Sequence, residues 1–485
     1  MKLLKLSLVL SFTVFFTQTY AQDNESWSLE KCILHSQKAS IAINQSELGV
    51  SQADITLDQA QQARYPSLNG NTNVQWNFGR TVDPTTNEFN TETFFSNNFG
   101  LNTNVTLFNG FRIKNNVKQA ELDLDAAKAD TEQMRRTVAL QVATNFLNVL
   151  FAQENITLAE KQLLLSQQQL DQVNKLIEAG ARPESERLNL EAQIAQSEQI
   201  QITSKNTLDI AILQLKQVLR LDPSYPFSIE APEDIEITTD PDMVNFEEAF
   251  ILAQENRPDL YANQLRIQSA IMGEKIAKGG LYPSVSVGGS LGSAYSNRGK
   301  SLVGFEDVRV ESEFDVSFEI PGLPPLVEQP VTLGSVQEFP ILEDQKYTDQ
   351  LDQNLSYGFG LGVNIPIYNR GNTKGSIQIA KLNAINAQLS YDQNVETLKI
   401  TVQQALADAR AAKKKLEASE KSLQAQQLAF ENTTKRLDLG AANTFEWESQ
   451  KTQMENAEVQ RLMDKYDYLF KIKILEFYLG KPLKL

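Results

Sequence analysis

Residues 355–365 read LSYGFGLGVNI. In an extended chain, Leu355, Tyr357, Phe359, Leu361, Val363 and Ile365 fall on one side. Ser356, Gly358, Gly360, Gly362 and Asn364 fall on the other, the period of two that marks a β-strand. Nothing on the small face is charged. The wet face of a soluble sheet usually carries Lys, Glu and Arg, so a soluble β-sandwich is the weaker reading. An apolar face backed by a small neutral one suits a wall between lipid and an aqueous lumen.

Three more runs share the pattern. Leu68, Val74, Trp76 and Phe78 alternate with Asn69, Asn71, Asn73, Gln75 and Asn77. Phe99, Leu101, Val105 and Leu107 oppose Asn98, Gly100, Asn102 and Asn104, and Val285, Val287, Leu291 and Tyr295 oppose Ser284, Ser286, Gly288 and Ser290. Each run is about 10 residues or slightly more, enough to cross a bilayer at a barrel's tilt. Four strands close no barrel, and open strand edges are not viable in lipid. Copies of the chain must therefore pool their strands, and the strands themselves allow two copies or more.

Outward from the strands, the chain repeats itself. Tyr65-Pro66-Ser67 recurs as Tyr282-Pro283-Ser284, and Leu29-Glu30 as Phe246-Glu247, both at an offset of 217. Phe108-Asn109 recurs as Tyr368-Asn369, Gly180-Ala181 as Gly440-Ala441, and Leu219 as Leu479, at an offset of 260. The second copy thus carries one insertion of 43 residues between its strands, in a loop expected over about 296–354. That stretch is acidic and Pro-rich, and reads as a solvated extracellular loop. The layout expected is a leader at 1–21, a first repeat at 22–221, a connector at 222–243 and a second repeat at 244–485. The connector holds four prolines and no helical period.

Each repeat reads as helix, strand, loop, strand, long helix, turn, helix. Tyr-Pro ends the first helix, because proline cannot continue the ladder and pushes its predecessor out of the α region. In the second repeat Pro258 also splits that helix, with Asn256 as a cap. The long helices are expected at Arg112–Ala179 and Asn372–Leu439, and the returning ones at Glu184–Leu219 and Thr444–Leu479. Ile113, Val117, Ala120, Leu124, Ala127, Thr131, Met134 and Val138 step alternately by four and three, which is coiled-coil spacing. The seam is rich in Ala and Thr, as suits helices side by side around a bore. Gly180 and Gly440 fit left-handed helix caps at two tight tips.

The N-terminus sets the compartment. Lys2 and Lys5 precede an apolar run from Leu6 to Phe16, and Thr19 and Ala21 supply the small residues of a cleavage site, so a secretory signal peptide is expected. No later run is long enough for a membrane helix. The net charge of −16 disfavours nucleic acid. Catalytic chemistry is not visible, and no cofactor is implied. The only His and Cys, His35 and Cys32, sit three residues apart and make a poor metal site, so surface or packing roles are expected. Gly480-Lys481 lacks the upstream glycine of a phosphate loop.

The duplicated plan, the two Tyr-Pro-Ser helix ends, the glycine tips followed by a carboxylate, and the closing FYLGKPL at 477–483 resemble the TolC-like outer-membrane efflux protein family. The resemblance covers nearly the whole mature chain. It implies an α+β membrane protein: a homotrimer with a 12-stranded transmembrane β-barrel continuous with a long periplasmic α-helical barrel. It implies an exit duct in the Gram-negative outer membrane, among outer-membrane lipid. The tips at Gly180, Ala181, Gly440 and Ala441 would dock a periplasmic adaptor coupled to an inner-membrane RND or ABC transporter. Family members carry acids six and nine positions after the second-tip glycine, where they narrow the periplasmic aperture. Here those positions are Glu446 and Ser449, and Glu186 and Asn189 in the first repeat. Glu446 and Glu186 are therefore the aperture candidates, with Arg436 placed to pair an acid there. Both acids also suit the first turn of a helix on dipole grounds alone. Two rival readings are a duct for type I protein secretion and a secreted coiled-coil structural or adhesion protein.

Overall fold

A computed structural model describes residues 26–82, 87, 89–91, 93–231, 237, 239–316, 321–322 and 329–481. The leader at 1–21 and the end of the closing motif lie outside the described residues, as do parts of the connector and of the insertion. The elements run α1 (Leu29–Ala39), α2 (Ile41–Gln62), β1 (Ser67–Asn77), β2 (Thr81–Val82), β3 (Phe89–Asn90), β4 (Phe94–Asn109), α3 (Arg112–Glu178) and α4 (Glu184–Leu219). They continue with α5 (Phe246–Glu255), α6 (Pro258–Gly279), β5 (Ser284–Ser296), β6 (Lys300–Val316), β7 (Gln329–Asp344), α7 (Tyr347–Gln353), β8 (Ser356–Asn364), α8 (Asn372–Asp438) and α9 (Thr444–Tyr478). The expected helix ends are met within about one residue. Among the described residues no helix is long and apolar enough to cross a membrane.

Left-handed backbone positions mark the same plan twice. Gly110 and Phe111 have positive φ, as do Arg370 and Gly371, 260 residues on. Gly180 matches Gly440, and Arg220 matches Gly480, at the same spacing. The chain nevertheless divides into two compact units that cut across the repeats: 1–54, 122–268 and 385–485 form one, and 55–121 and 269–384 the other.

The second unit holds an antiparallel sheet in the order β1-β4-β5-β8. Its register puts Asn69, Asn102, Ser290 and Gly358 in one cross-strand row, and Leu101, Leu291 and Tyr357 in the next. All four small faces therefore lie on one side of the sheet and the apolar faces on the other. The apolar side stands exposed, with Phe359 at 94% and Trp76 at 60%. Among the described residues β1 and β8 pair only inward, so the sheet ends in two open edges. At its helical end a Cβ on Gly110 would sit 2.2 Å from the carbonyl oxygen of Gly279, so the β4–α3 turn passes α6 backbone to backbone.

Two expectations are corrected. The insertion is not one long loop: β6 and β7 pair as an antiparallel hairpin, and α7 follows. The period of two from Val308 through Val310 and Ser312, against Arg309, Glu311 and Glu313, drives it, although the stretch is acidic overall. The first helix of the first repeat is also two helices. Ser40 is extended, and it ends α1 by donating to Ser36 while its carbonyl accepts from Asn44 to begin α2.

The first unit is helical. Phe146, Val142 and Leu150 of α3 pack with Leu215 and Leu219 of α4, Leu469 of α9, and Trp27 and Cys32. Leu406 and Ala409 of α8 pack with Ile472 and Leu475 of α9, and Leu398 and Val402 with Ala249, Ala253 and Leu260 of α5 and α6. Cys32 is wholly buried, its thiol pushed up to about 12 by burial, and His35 lies edge-on to Trp27 at 5.1 Å. Both are packing residues.

Candidate functional site at the helical tips

Both long helices end in the same way. Gly180 has φ 73°, and the N–H groups of Gly180 and Ala181 donate to Ile177 and Leu176, each at 2.8 Å. Gly440 has φ 70°, and Gly440 and Ala441 donate to Leu437 at 3.0 Å and Arg436 at 2.7 Å. These are two Schellman caps, in which glycine takes the left-handed position that a side chain would strain. The four residues expected at the tips are all exposed.

Each return helix starts with acid in its first turn, Glu184 and Glu186 in α4 and Glu446 in α9. The Asn443 side chain accepts from the Glu446 N–H at 2.8 Å. The two aperture candidates then differ. Glu446 keeps 43% of its side chain exposed and lies 2.6 Å from the Arg436 guanidinium, which also donates to the Ala441 carbonyl. Arg436 thus meets the acid anticipated for it. Glu186 keeps only 17%, because Thr444 covers it. The Thr444 hydroxyl donates to one carboxylate oxygen at 2.7 Å, and Arg182 donates to the other at 3.3 Å and to Thr444 Oγ1 at 3.2 Å. The tip of one hairpin is therefore tied to that of the other. Ser449 and Asn189 are exposed.

The surroundings add residues that sequence reading missed. Leu439 and Phe445 flank the second tip almost bare, at 84% and 79%. Trp447 is buried, donates to Thr434 Oγ1 at 3.0 Å and tilts against Phe430. One turn further in, Lys451 is 1% exposed, with Nζ donating to Ser166 Oγ at 2.7 Å and lying 3.3 Å from Glu455. Burial pushes the Glu448 and Glu455 carboxyls above the ordinary range, and Lys451 pulls both back only in part. Glu186 adds a smaller upward push on Glu448, as Glu458 does on Glu455. Lys451 and Glu455 are four apart, a spacing usual for a solvated pair, so nothing local signals the burial of Lys451.

The tips can present carboxylates, neutralise them with a neighbouring arginine, and offer apolar anchors on a rigid turn. Comparison with known proteins gives the family of the chain. The family description "outer membrane efflux protein" matches residues 36–219 and 251–481. The chain is 21% identical over 450 residues to outer membrane efflux protein BepC of Brucella suis, covering 92% of this chain and 82% of that protein. It is 20% identical over 473 residues to toxin and drug export protein A of Aggregatibacter actinomycetemcomitans, covering 93% and 87%. Its fold is similar to that of the outer membrane protein VceC of Vibrio cholerae, with a TM-score of 0.71 at 14% identity, covering 94% of this chain and 97% of that one. With most of its length matched in two blocks, the chain belongs to the outer membrane efflux protein family.

Proposed function

We propose that the chain is one protomer of a homotrimeric exit duct in the Gram-negative outer membrane. Three copies contribute four strands each to a 12-stranded barrel, and their helices form the periplasmic tunnel. The observation that carries the reading is the sheet. One face is apolar and exposed, the other is small and uncharged, and β1 and β8 end in open edges that only another copy can pair in lipid. A leader at 1–21 that directs export, repeats at 22–221 and 244–485, and a connector at 222–243 complete the layout.

In this reading the duct conducts passively, and energy comes from an inner-membrane RND or ABC transporter through a periplasmic adaptor. Gly180, Ala181, Gly440 and Ala441 present the turns the adaptor meets, and bare Leu439 and Phe445 add apolar anchors beside them. Glu446 is the aperture carboxylate: copies gathered on an axis would concentrate negative potential there and favour cations. Arg436 moderates that field. Glu186, the second candidate, serves first as the tie between hairpins.

A second reading keeps the duct and changes the cargo to a secreted protein. The relative named for both toxin and drug export supports it. Cross-linking the tips to an adaptor in cells and identifying its pump separates the two. A secreted coiled-coil protein fits poorly with the exposed apolar sheet. Extraction tests the duct itself: the protein is expected to stay in washed membranes until detergent is added, and release by salt or alkali alone would overturn the reading.

A further inference from the structure

We infer that the β6–β7 hairpins of neighbouring copies pack against one another through a single face of the ribbon. The inference rests on the duct reading, which brings the copies together around a shared barrel. The hairpin rises from the end of the sheet opposite the helices: β5 pairs at Ser284 with Asn109 and Asn364, beside the starts of α3 and α8, and ends at Ser296, just before Lys300. Its root is fixed. Gln345 donates to Gly299, and the buried Gln350 side chain accepts from the Ser296 N–H at 3.0 Å and donates to its carbonyl at 2.9 Å.

The register sorts the ribbon into two faces of unlike charge. Val308 lies opposite Gln337, Val310 opposite Ser335, Ser312 opposite Leu333, Glu306 opposite Phe339, and Gly304 opposite Ile341. Val308, Val310, Leu333, Phe339 and Ile341 therefore share one face with a single acid, Glu306. The other face takes Asp307, Glu311, Glu313 and Glu338 among Phe305, Val336 and Pro340, with Arg309 lying across Gly334 toward Glu311, so what separates the two faces is their charge. Leu333 is 63% exposed, and Phe339 and Ile341 are a little under half exposed.

Among the described residues β6 and β7 pair only with each other, and an isolated two-stranded ribbon is marginal in water. Its apolar face needs a cover. The carboxylate face would be repelled by anionic lipid headgroups and by the same face of another copy, so charge leaves apolar against apolar as the contact between copies. Each hairpin is rooted at the rim of a strand that the duct reading places in a ring. That ring supplies a second and third copy at the same height, continuous with the shared barrel.

The test uses the full-length protein, in which Cys32 is the only cysteine and is buried. Single variants Leu333→Cys and Val308→Cys, on the apolar face, and Glu311→Cys and Glu313→Cys, on the acidic face, are treated with a short bis-maleimide in detergent-extracted particles. Cross-linked multi-chain species are expected several-fold more strongly from the apolar-face variants, while acidic-face cysteines take up a bulky maleimide on intact cells. Absent cross-linking from Leu333→Cys and Val308→Cys in particles whose native mass is a multimer would overturn the inference alone and point to lipid or another protein on that face. Preferential cross-linking of the acidic-face variants would overturn it as well. Particles with the mass of one chain would overturn the duct reading together with it.

Discussion

The Thr444 hydroxyl lies 2.7 Å from a carboxylate oxygen of Glu186, joining two tips 258 residues apart in the chain. Thr444 is buried, and it also accepts from Arg182, so one side chain completes both halves of the tie. Thr444→Val keeps the shape and removes both bonds, at a cost of about 2 kcal/mol for a hydrogen bond to a charged partner. Looser tips should raise single-channel conductance and admit large antibiotics. Unchanged conductance would show that the tie holds nothing closed.

The Arg436–Glu446 pair is half exposed at both ends, so its net contribution to stability is below about 1 kcal/mol. Glu446→Ala should therefore leave thermal unfolding in place while raising conductance and weakening block by divalent cations. Arg436→Ala should do the reverse to the block, because it leaves the carboxylate bare. If both variants conduct as the wild type does, Glu446 is not at the aperture.

Lys451 gives the tip region a pH dependence of definite sign. Glu448 and Glu455 are held above the ordinary carboxylate range chiefly by burial, so the fold favours their neutral forms. That contribution is fully present below the unfolded pKa, is lost as pH rises through the raised folded values, and stays lost above them. Lys451→Met removes the one cation that pulls both values down, which deepens the loss. Thermal unfolding should show a deficit of about 3 kcal/mol near neutral pH that shrinks toward about pH 4. A deficit independent of pH would mean that Lys451 acts by packing alone.

Two glycines with similar backbone angles should respond differently to alanine. At Gly180 nothing lies within 4 Å of an added Cβ, so Gly180→Ala bears only the left-handed strain, about 1–2 kcal/mol. At Gly110 the same methyl would strike the Gly279 carbonyl at 2.2 Å, so the turn itself must shift. Gly110→Ala should fail to reach the outer membrane while Gly180→Ala accumulates normally, as immunoblots of membrane fractions would report. Equal accumulation would remove the close backbone crossing from the account.

Wherever periodicity is local, the chain was legible. Leu355 to Ile365 and its three counterparts announced both strands and faces, because alternation depends only on neighbours, and the register then aligned those faces. Gly180 and Gly440 placed the helix ends because few residues but glycine suit that cap. The break at Ser40 was not legible, since no proline or glycine marks it. The β6–β7 hairpin is masked because its carboxylates alternate with Val308 and Val310 and dominate the composition of the stretch. At the tips, Arg436 could be expected to meet an acid because it stands just before the turn, and Glu446, singled out by the family resemblance, is that acid. The ties of Thr444 to Glu186 and of Lys451 to Ser166 join separate hairpins, and burial of a lysine four residues from a glutamate leaves no local mark.

A duct of this kind requires strands shared between copies, and the detergent-extracted particle reads that out. Its native mass, corrected for bound detergent, should equal three chains, and the same particles should insert stable conducting channels into a planar bilayer. A particle with the mass of one chain, or a three-chain particle that never conducts, would contradict the duct.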